Sequence, residues 1–267
     1  MRPVVSVYDL ADLEAELAGT IFGGKLHFSP VTGSTNTDAL AAARNGAAHG
    51  SVFFADEQTA GRGRGDHRWQ SQAGEGLYVS AMMRPSLSKL HLPLIPLVAG
   101  LAAAEAVSTV AGVAIDLRWP NDLLIEARKV GGILVESKTE AAGLAFVVIG
   151  IGINVHQRDF DPTHSTPATS LDVAAGRRVS RQALLVALLK SLEREMVLLS
   201  RAETANGILA RVELASTWLK GRRVTAHGPQ ECAGVTAGLD AQGFLLVRTD
   251  QGLVTVQTGG IRAAETE

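Results

Sequence analysis

The stretch Ala145-Phe146-Val147-Val148-Ile149-Gly150-Ile151-Gly152-Ile153-Asn154-Val155 constrains this chain more than any other. As a strand it sends Val147, Ile149, Ile151, Ile153 and Val155 to one face and Val148, Gly150, Gly152 and Asn154 to the other. The first face is thick with branched apolar groups, and the second is bare. Glycine weakens a strand, so two at consecutive positions on one face need a reason. Either something flat lies against the backbone there, with Asn154 at its edge, or a helix packs closely on it.

A second stretch, Glu57-Gln58-Thr59-Ala60-Gly61-Arg62-Gly63-Arg64-Gly65-Asp66-His67-Arg68-Trp69, sets backbone freedom beside positive charge. Glycine lets a ligand approach the backbone, and each Arg offers a planar fork of donors suited to phosphate or carboxylate. This reads as an anion-binding loop or as a solvated Arg-Gly turn, and its spacing fits neither the P-loop nor the dinucleotide fingerprint. It leaves the apolar strand Ser51 to Ala55, and strand ends in α/β sheets are where ligands sit. The formal net charge is only −2 over 267 residues, so no long-range field draws in nucleic acid or an anionic membrane. Anion binding must then be local, at a shaped site.

Taken in order, the chain opens with a short amphipathic helix from Val7 to Ala18 and a strand at Lys25 to Phe28. Next come Ser34-Thr35-Asn36 and an alanine-rich helix to Gly46. Thr35 with Asp38 fits a capping box, and the same helix N-terminus, with its free N–H groups and small polar side chains, could hold the polar end of a small ligand. Gly76 to Met83 is another strand. The apolar stretch Leu92 to Val113 is broken by Pro93, Pro96, Gly100 and Glu105, which suits a buried core helix better than a membrane span. Pro120 bars an uninterrupted strand at Trp119-Pro120-Asn121-Asp122 and puts Asn121-Asp122 at a turn. The same amide and carboxylate would also suit Mg²⁺ when phosphate oxygens supply its other ligands. Lys129 stands just upstream of Gly131-Gly132, separated from them by Val130, as a surface lysine or as a cation with room to swing onto an anion.

From Ser180 to about Ala202 a helix carries a core stripe of Leu184, Leu185, Leu188, Leu189, Leu192, Met196 and Leu199, and a second helix runs to Trp218. Beyond Lys220-Gly221 short strands and tight turns predict a small barrel of roughly 45 residues that needs docking to a larger body. The expected domains are 1–218 and 219–267. The single cysteine, Cys232, excludes an intrachain disulfide framework and a multi-cysteine metal site. With no basic-then-apolar signal pattern, the expected location is cytoplasmic.

In this order and at these intervals, Ser34-Thr35-Asn36, the Gln58 to Gly65 loop, Trp69, Trp119 to Asp122, Arg128 to Glu136, Gly150 to Asn154 and the C-terminal small strands resemble the biotin protein ligases. The resemblance spans nearly the whole chain. It implies an α+β fold: a mixed-sheet catalytic domain like that of class II aminoacyl-tRNA synthetases, followed by an SH3-like β-barrel. It also implies two half-reactions, in which biotin and MgATP give biotinyl-5′-AMP, and a lysine of a biotin carboxyl carrier protein then takes the biotinyl group.

By position, Ser34, Thr35, Asn36 and Gln58 would bind biotin's ureido end over a bare floor of Gly150 and Gly152. Gly61, Gly63, Gly132 and Leu134 also fall at the biotin site. Arg62 and Arg64 would close over the biotin carboxylate and the phosphates, and Lys129 would bridge the carboxylate and the α-phosphate as a catalytic group. Trp69 would pack near the adenine, with Asn121, Asp122 and Asn154 serving nucleotide and metal, Asp122 as the Mg²⁺ ligand. The related activity to weigh against this is a lipoate or octanoate ligase, disfavoured by the intact Arg-Gly loop together with Trp-Pro-Asn-Asp. An RNA-binding module would call for a broader basic and aromatic surface than 4% aromatics supply.

Two features depart from the family pattern. The repressor members carry a winged helix-turn-helix of roughly 60 residues before Ser-Thr-Asn, more than the residues ahead of Ser34 can form, which predicts no DNA partner. Gly65-Asp66-His67 stands where many members have a basic residue, and Gly259-Gly260-Ile261-Arg262 stands where Ser-Leu-Arg is usual, so a C-terminal share in ATP binding is not expected. No membrane partner is expected, and the assembly is taken as a monomer or weak homodimer.

Overall fold

The computed structural model describes residues 8–65, 67–140, 143–163, 165–201 and 205–264. Val7, Asp66 and Ala202, which the sequence assigns to the first helix, the Arg-Gly loop and the long helix, lie outside these residues. A seven-stranded mixed sheet forms the main body, built from β1 (Leu26–Thr32), β2 (Ser51–Gln58), β3 (Gly76–Met83), β4 (Asp116–Arg118), β5 (Asp122–Ile125), β6 (Arg128–Glu140) and β7 (Gly143–Asn154). Its order is β1-β2-β3-β7-β6-β5-β4, with β1 and β2 parallel and the other neighbours antiparallel. This is the mixed α+β arrangement expected.

The two faces of the sheet follow the alternation of β7. Val147, Ile149, Ile151, Ile153 and Val155 are at most 2% exposed and join the main core. Onto that core pack α1 (Leu10–Leu17), α3 (Ile95–Ala111) and α5 (Arg181–Ser200). Asp9 caps α1 by accepting from the Ala11 and Asp12 amides, and Ser180 caps α5 by accepting from the Ala183 amide, so each helix starts where a short polar side chain can satisfy its free N–H groups. All seven residues of the predicted α5 stripe are buried. The apolar stretch after Pro85 is a 3₁₀ turn, Lys89–Leu94, running into α3, which is buried along most of its length.

On the opposite face lies α2 (Thr35–Arg44), whose Ala39 and Ala43 pack with Met82, Phe146 and Val148. The capping box expected at its start does not form. Ser34 holds the N-cap position without a side-chain bond, Thr35 is already helical, and Asp38 accepts instead from the Thr32 hydroxyl at 2.6 Å. Thr35 is drawn inward because its amide donates to the Gln58 carbonyl at 2.9 Å, a partner 23 residues away that local pattern cannot reveal.

Beyond α4 (Leu171–Ala175), α6 (Ala205–Leu214) ends short of Trp218, and a separate antiparallel sheet of order β11-β10-β9-β8-β12 follows. Its strands are β8 (Lys220–His227), β9 (Cys232–Leu239), β10 (Leu245–Thr249), β11 (Gly252–Val256) and β12 (Gly260–Ala263). The last pairs with β8 from Gly260↔His227 to Ala263↔Val224. The Trp119 indole N–H donates to the Gly243 carbonyl at 3.1 Å and ties this sheet to the main body.

Ile149→Ala, at a position 1% exposed in the central strand, should destabilise the protein by about 2–5 kcal/mol, read as a lower urea midpoint with an unchanged slope.

Candidate functional site

The bare face of β7, the start of α2, the Arg-Gly loop and the β4–β5 turn surround a cleft of about 750 Å³. That is within the usual size of a small-molecule site. Of the predicted site residues, Ser34, Thr35, Asn36, Gln58, Arg62, Gly63, Arg64, Trp69, Asn121, Asp122, Lys129, Gly132, Leu134, Gly150, Gly152 and Asn154 all line it. Gly61 does not. A Cβ there would meet the Trp69 carbonyl at 2.4 Å, so Gly61 serves the folding of the loop on itself.

The strand register explains how these residues meet. Ser80 of β3 and Leu134 of β6 both stand opposite Gly150, and Tyr78 and Gly132 both stand opposite Gly152. Side chains on these rows rise from one face. The predicted bare floor is nevertheless covered by the chain's own groups. A Cβ on Gly150 would lie 2.0 Å from Asn36 Oδ1, and one on Gly152 would lie 2.6 Å from Trp69 Nε1. The glycines therefore accommodate an amide from helix α2 and an indole from the loop. Trp69 Nε1 is buried and has no hydrogen-bond partner among the described residues.

A polar chain runs along this floor. Gln58 accepts from the Thr35 amide and hydroxyl at 2.9 and 3.2 Å and donates to the Ser71 hydroxyl at 2.7 Å. The Thr35 and Ser80 hydroxyls lie 2.8 Å apart, and Ser80 donates to Asn36 Oδ1 at 2.6 Å. Asn36 Nδ2 donates to Glu136 Oε2 at 2.9 Å, and the Glu136 carboxylate takes both arms of Arg62 at 2.8 and 2.9 Å. Both ends of the Asn36 amide are thus engaged by protein, whereas the Ser34 side chain, 3% exposed, does not cap its helix.

At the other end Asp122 receives two cations. Lys129 Nζ lies 2.5 Å from Oδ1, and Arg118 donates from Nε and an arm to Oδ2 at 3.1 and 2.6 Å. Burial alone would push this carboxyl up, but Lys129 and Arg118 hold it below its usual value. Burial also pulls Arg64 below the usual arginine range, against the nearby Asp122 charge, and its guanidinium donates to the Gly259 carbonyl. Asn121 Nδ2 donates to the Ile133 carbonyl at 2.8 Å and Asn154 Nδ2 to the Thr169 carbonyl at 3.1 Å, so both amides fix neighbouring segments.

Asp122 does not suit a protein-held Mg²⁺ in this arrangement, since cations take both its oxygens. No group of three His, Cys, Asp or Glu residues among the described residues could hold a metal.

Several site residues escaped the sequence reading. Ser80 lies inside a strand buried at every position, and its parity with Tyr78 was the available signal. Glu136 shares the parity of Gly132 and Leu134 on β6. Arg118 is 7% exposed and stands at the end of β4, with no local signal that marks it for the cleft. His227, Gly259, Ile261 and Arg262 also line the cleft, so the C-terminal sheet supplies one of its walls. Only the long-range pairing of β12 with β8 brings them there.

Residues 28–154 match the model of the biotin/lipoate A/B protein ligase family. The chain is 33% identical over 258 residues to the bifunctional ligase/repressor BirA of Bacillus subtilis, covering 94% of this chain and 78% of that one. It is 34% identical over 275 residues to the biotin–[acetyl-CoA-carboxylase] ligase of Mycobacterium tuberculosis, covering 98% and 96%. The structure is similar to that of Aquifex aeolicus biotin protein ligase in complex with biotin and ATP, with a TM-score of 0.76 at 28% identity over 90% of this chain and 98% of that one.

Gly150→Ala should displace Asn36 from the floor and cost about 1–3 kcal/mol in urea unfolding. Asp122 has a folded-state pKa below its ordinary 3.8, so its contribution to stability is complete above that value and is lost as pH falls through the lower folded value. The stability difference between wild type and Asp122→Asn should therefore be largest near neutral pH and shrink on acidification below pH 3.8, measured by urea unfolding across a pH series.

Proposed function

We propose the activity of this chain from the premise that it belongs to the biotin protein ligase family: it is an ATP-dependent ligase that activates biotin as biotinyl-5′-AMP and transfers the biotinyl group to a lysine of a biotin carboxyl carrier protein. The observation that carries this reading is the convergence of Arg62, Arg64, Arg118 and Lys129 on one cleft beside Gly150 and Gly152. Joining a carboxylate to a nucleotide phosphate brings anions together, and positioned cations are what that reaction requires.

In this reading Ser34, Thr35, Asn36 and Gln58 meet the ureido end of biotin. A biotin carboxylate oxygen attacks the α-phosphorus of ATP, and pyrophosphate leaves with the bonding pair. Lys129 leaves Asp122 to bridge the carboxylate and the α-phosphate, while Arg118 stays on Asp122 and keeps that buried carboxylate partnered. Arg64 and Arg62 close the loop over the mixed anhydride and shield it from water. The carrier lysine, as the free amine, then attacks the acyl carbon, AMP leaves with the bonding pair of the anhydride oxygen, and the new ammonium loses its proton to give the amide. No nucleophilic side chain of this chain is used.

Mg²⁺ enters as part of the nucleotide substrate, MgATP. Asn121 and Asn154 border the nucleotide, together with the wall formed by β8 and β12. Residues 1–218 act as the catalytic domain, residues 219–267 as an SH3-like module, and the working compartment is the cytoplasm.

Purified protein with Mg²⁺ and labelled pyrophosphate should show exchange into ATP that depends on biotin and not on lipoate. Exchange with lipoate alone would move the protein to the sister activity. Lys129→Ala should slow adenylate formation by about 10²- to 10³-fold, and near-normal turnover would remove Lys129 from the reaction.

A further inference from the structure

Arg62 is assigned to a substrate carboxylate, yet its fork is already filled by one. Glu136 Oε1 and Oε2 meet its two arms at 2.8 and 2.9 Å, the side-by-side geometry by which an arginine recognises any carboxylate. The pair is only partly shielded, with the Arg62 side chain 42% and the Glu136 side chain 25% exposed, so exchange of partners is open to a ligand in the cleft. Glu136 is also held from its other side by Asn36 Nδ2 at 2.9 Å. That second bond gives the carboxylate a place to remain when Arg62 departs, and it avoids leaving Glu136 without a partner.

We propose that Glu136 is a resident competitor for Arg62: it occupies the seat of the substrate carboxylate in the free enzyme, yields it when an ionised acid enters, and regains it once the acid has become a neutral amide. The inference rests on the reading of biotin as substrate. It makes Glu136 a positioning residue that weakens the hold on the acid and favours departure of the amide product. The charge of the acid, and not its ring system, decides the exchange. A neutral amide cannot displace a carboxylate from a guanidinium, because its oxygen brings no opposite charge to replace the ion pair.

The test is calorimetric titration of wild type and Glu136→Gln with biotin and with biotinamide, its neutral analogue. The glutamine keeps the shape and can still accept from Asn36, but it removes the competing charge. Biotin should bind the variant about two- to fivefold more tightly, the range set by one partly exposed charge pair, while biotinamide should bind both proteins alike. In an Arg62→Ala background the same change should leave biotin affinity unmoved, because the contested fork is gone. A structural disturbance would shift both ligands together, so equal shifts, weaker biotin binding or unchanged biotin binding would each overturn the proposal. If Glu136→Gln does not fold, Glu136→Asp, one methylene short of the fork, decides it by the same acid-against-amide difference. A wild type that binds no biotin would instead remove the underlying reading.

Discussion

The site depends on a strand that must satisfy two environments at once. Strand β7 spends one face on the core, where Val147, Ile149, Ile151 and Ile153 are at most 2% exposed, and gives the other to glycine. Branched groups on the second face would fill the space where Asn36 and Trp69 now lie. Glycines there cost strand stability, and the dense packing of the first face together with two antiparallel neighbours, β3 and β6, offsets that cost.

The second constraint is charge. Arg62, Arg64, Arg118 and Lys129 converge on a partly buried cleft, and the more buried of them cannot be left without a partner at low cost. The chain answers with its own acids, Glu136 on Arg62 and Asp122 on both Arg118 and Lys129, and with the Gly259 carbonyl on Arg64. Each of these cations thereby has a partner in the ligand-free cleft, while the two acids leave the group with net positive charge. Binding an anion then becomes an exchange of partners, which limits affinity but spares the enzyme a loose, repelling loop.

The C-terminal sheet belongs to the same account. A unit of its size gains stability by docking, and Trp119 with Gly243 and Arg64 with Gly259 join it to the turn and the loop that carry the cleft's charged groups. Stability and closure of the site therefore share contacts.

The sequence by itself determined the strand periodicities, the buried stripe of α5, the turn at Pro120 and the family to which the chain belongs, because each is written in neighbouring residues or in motif order. Nearly all the residues it assigned to a site do line the cleft, though they make up less than half of its lining. Only the tertiary structure decided their partners. Whether Thr35 caps its helix or turns inward to Gln58, whether Gly150 faces open space or Asn36, and whether Asp122 is free or doubly paired all depend on residues that are distant in the chain. Ser80, Glu136 and the β12 wall were illegible for the same reason. A side chain's parity is local information, but what stands opposite it is set by strand register and long-range pairing.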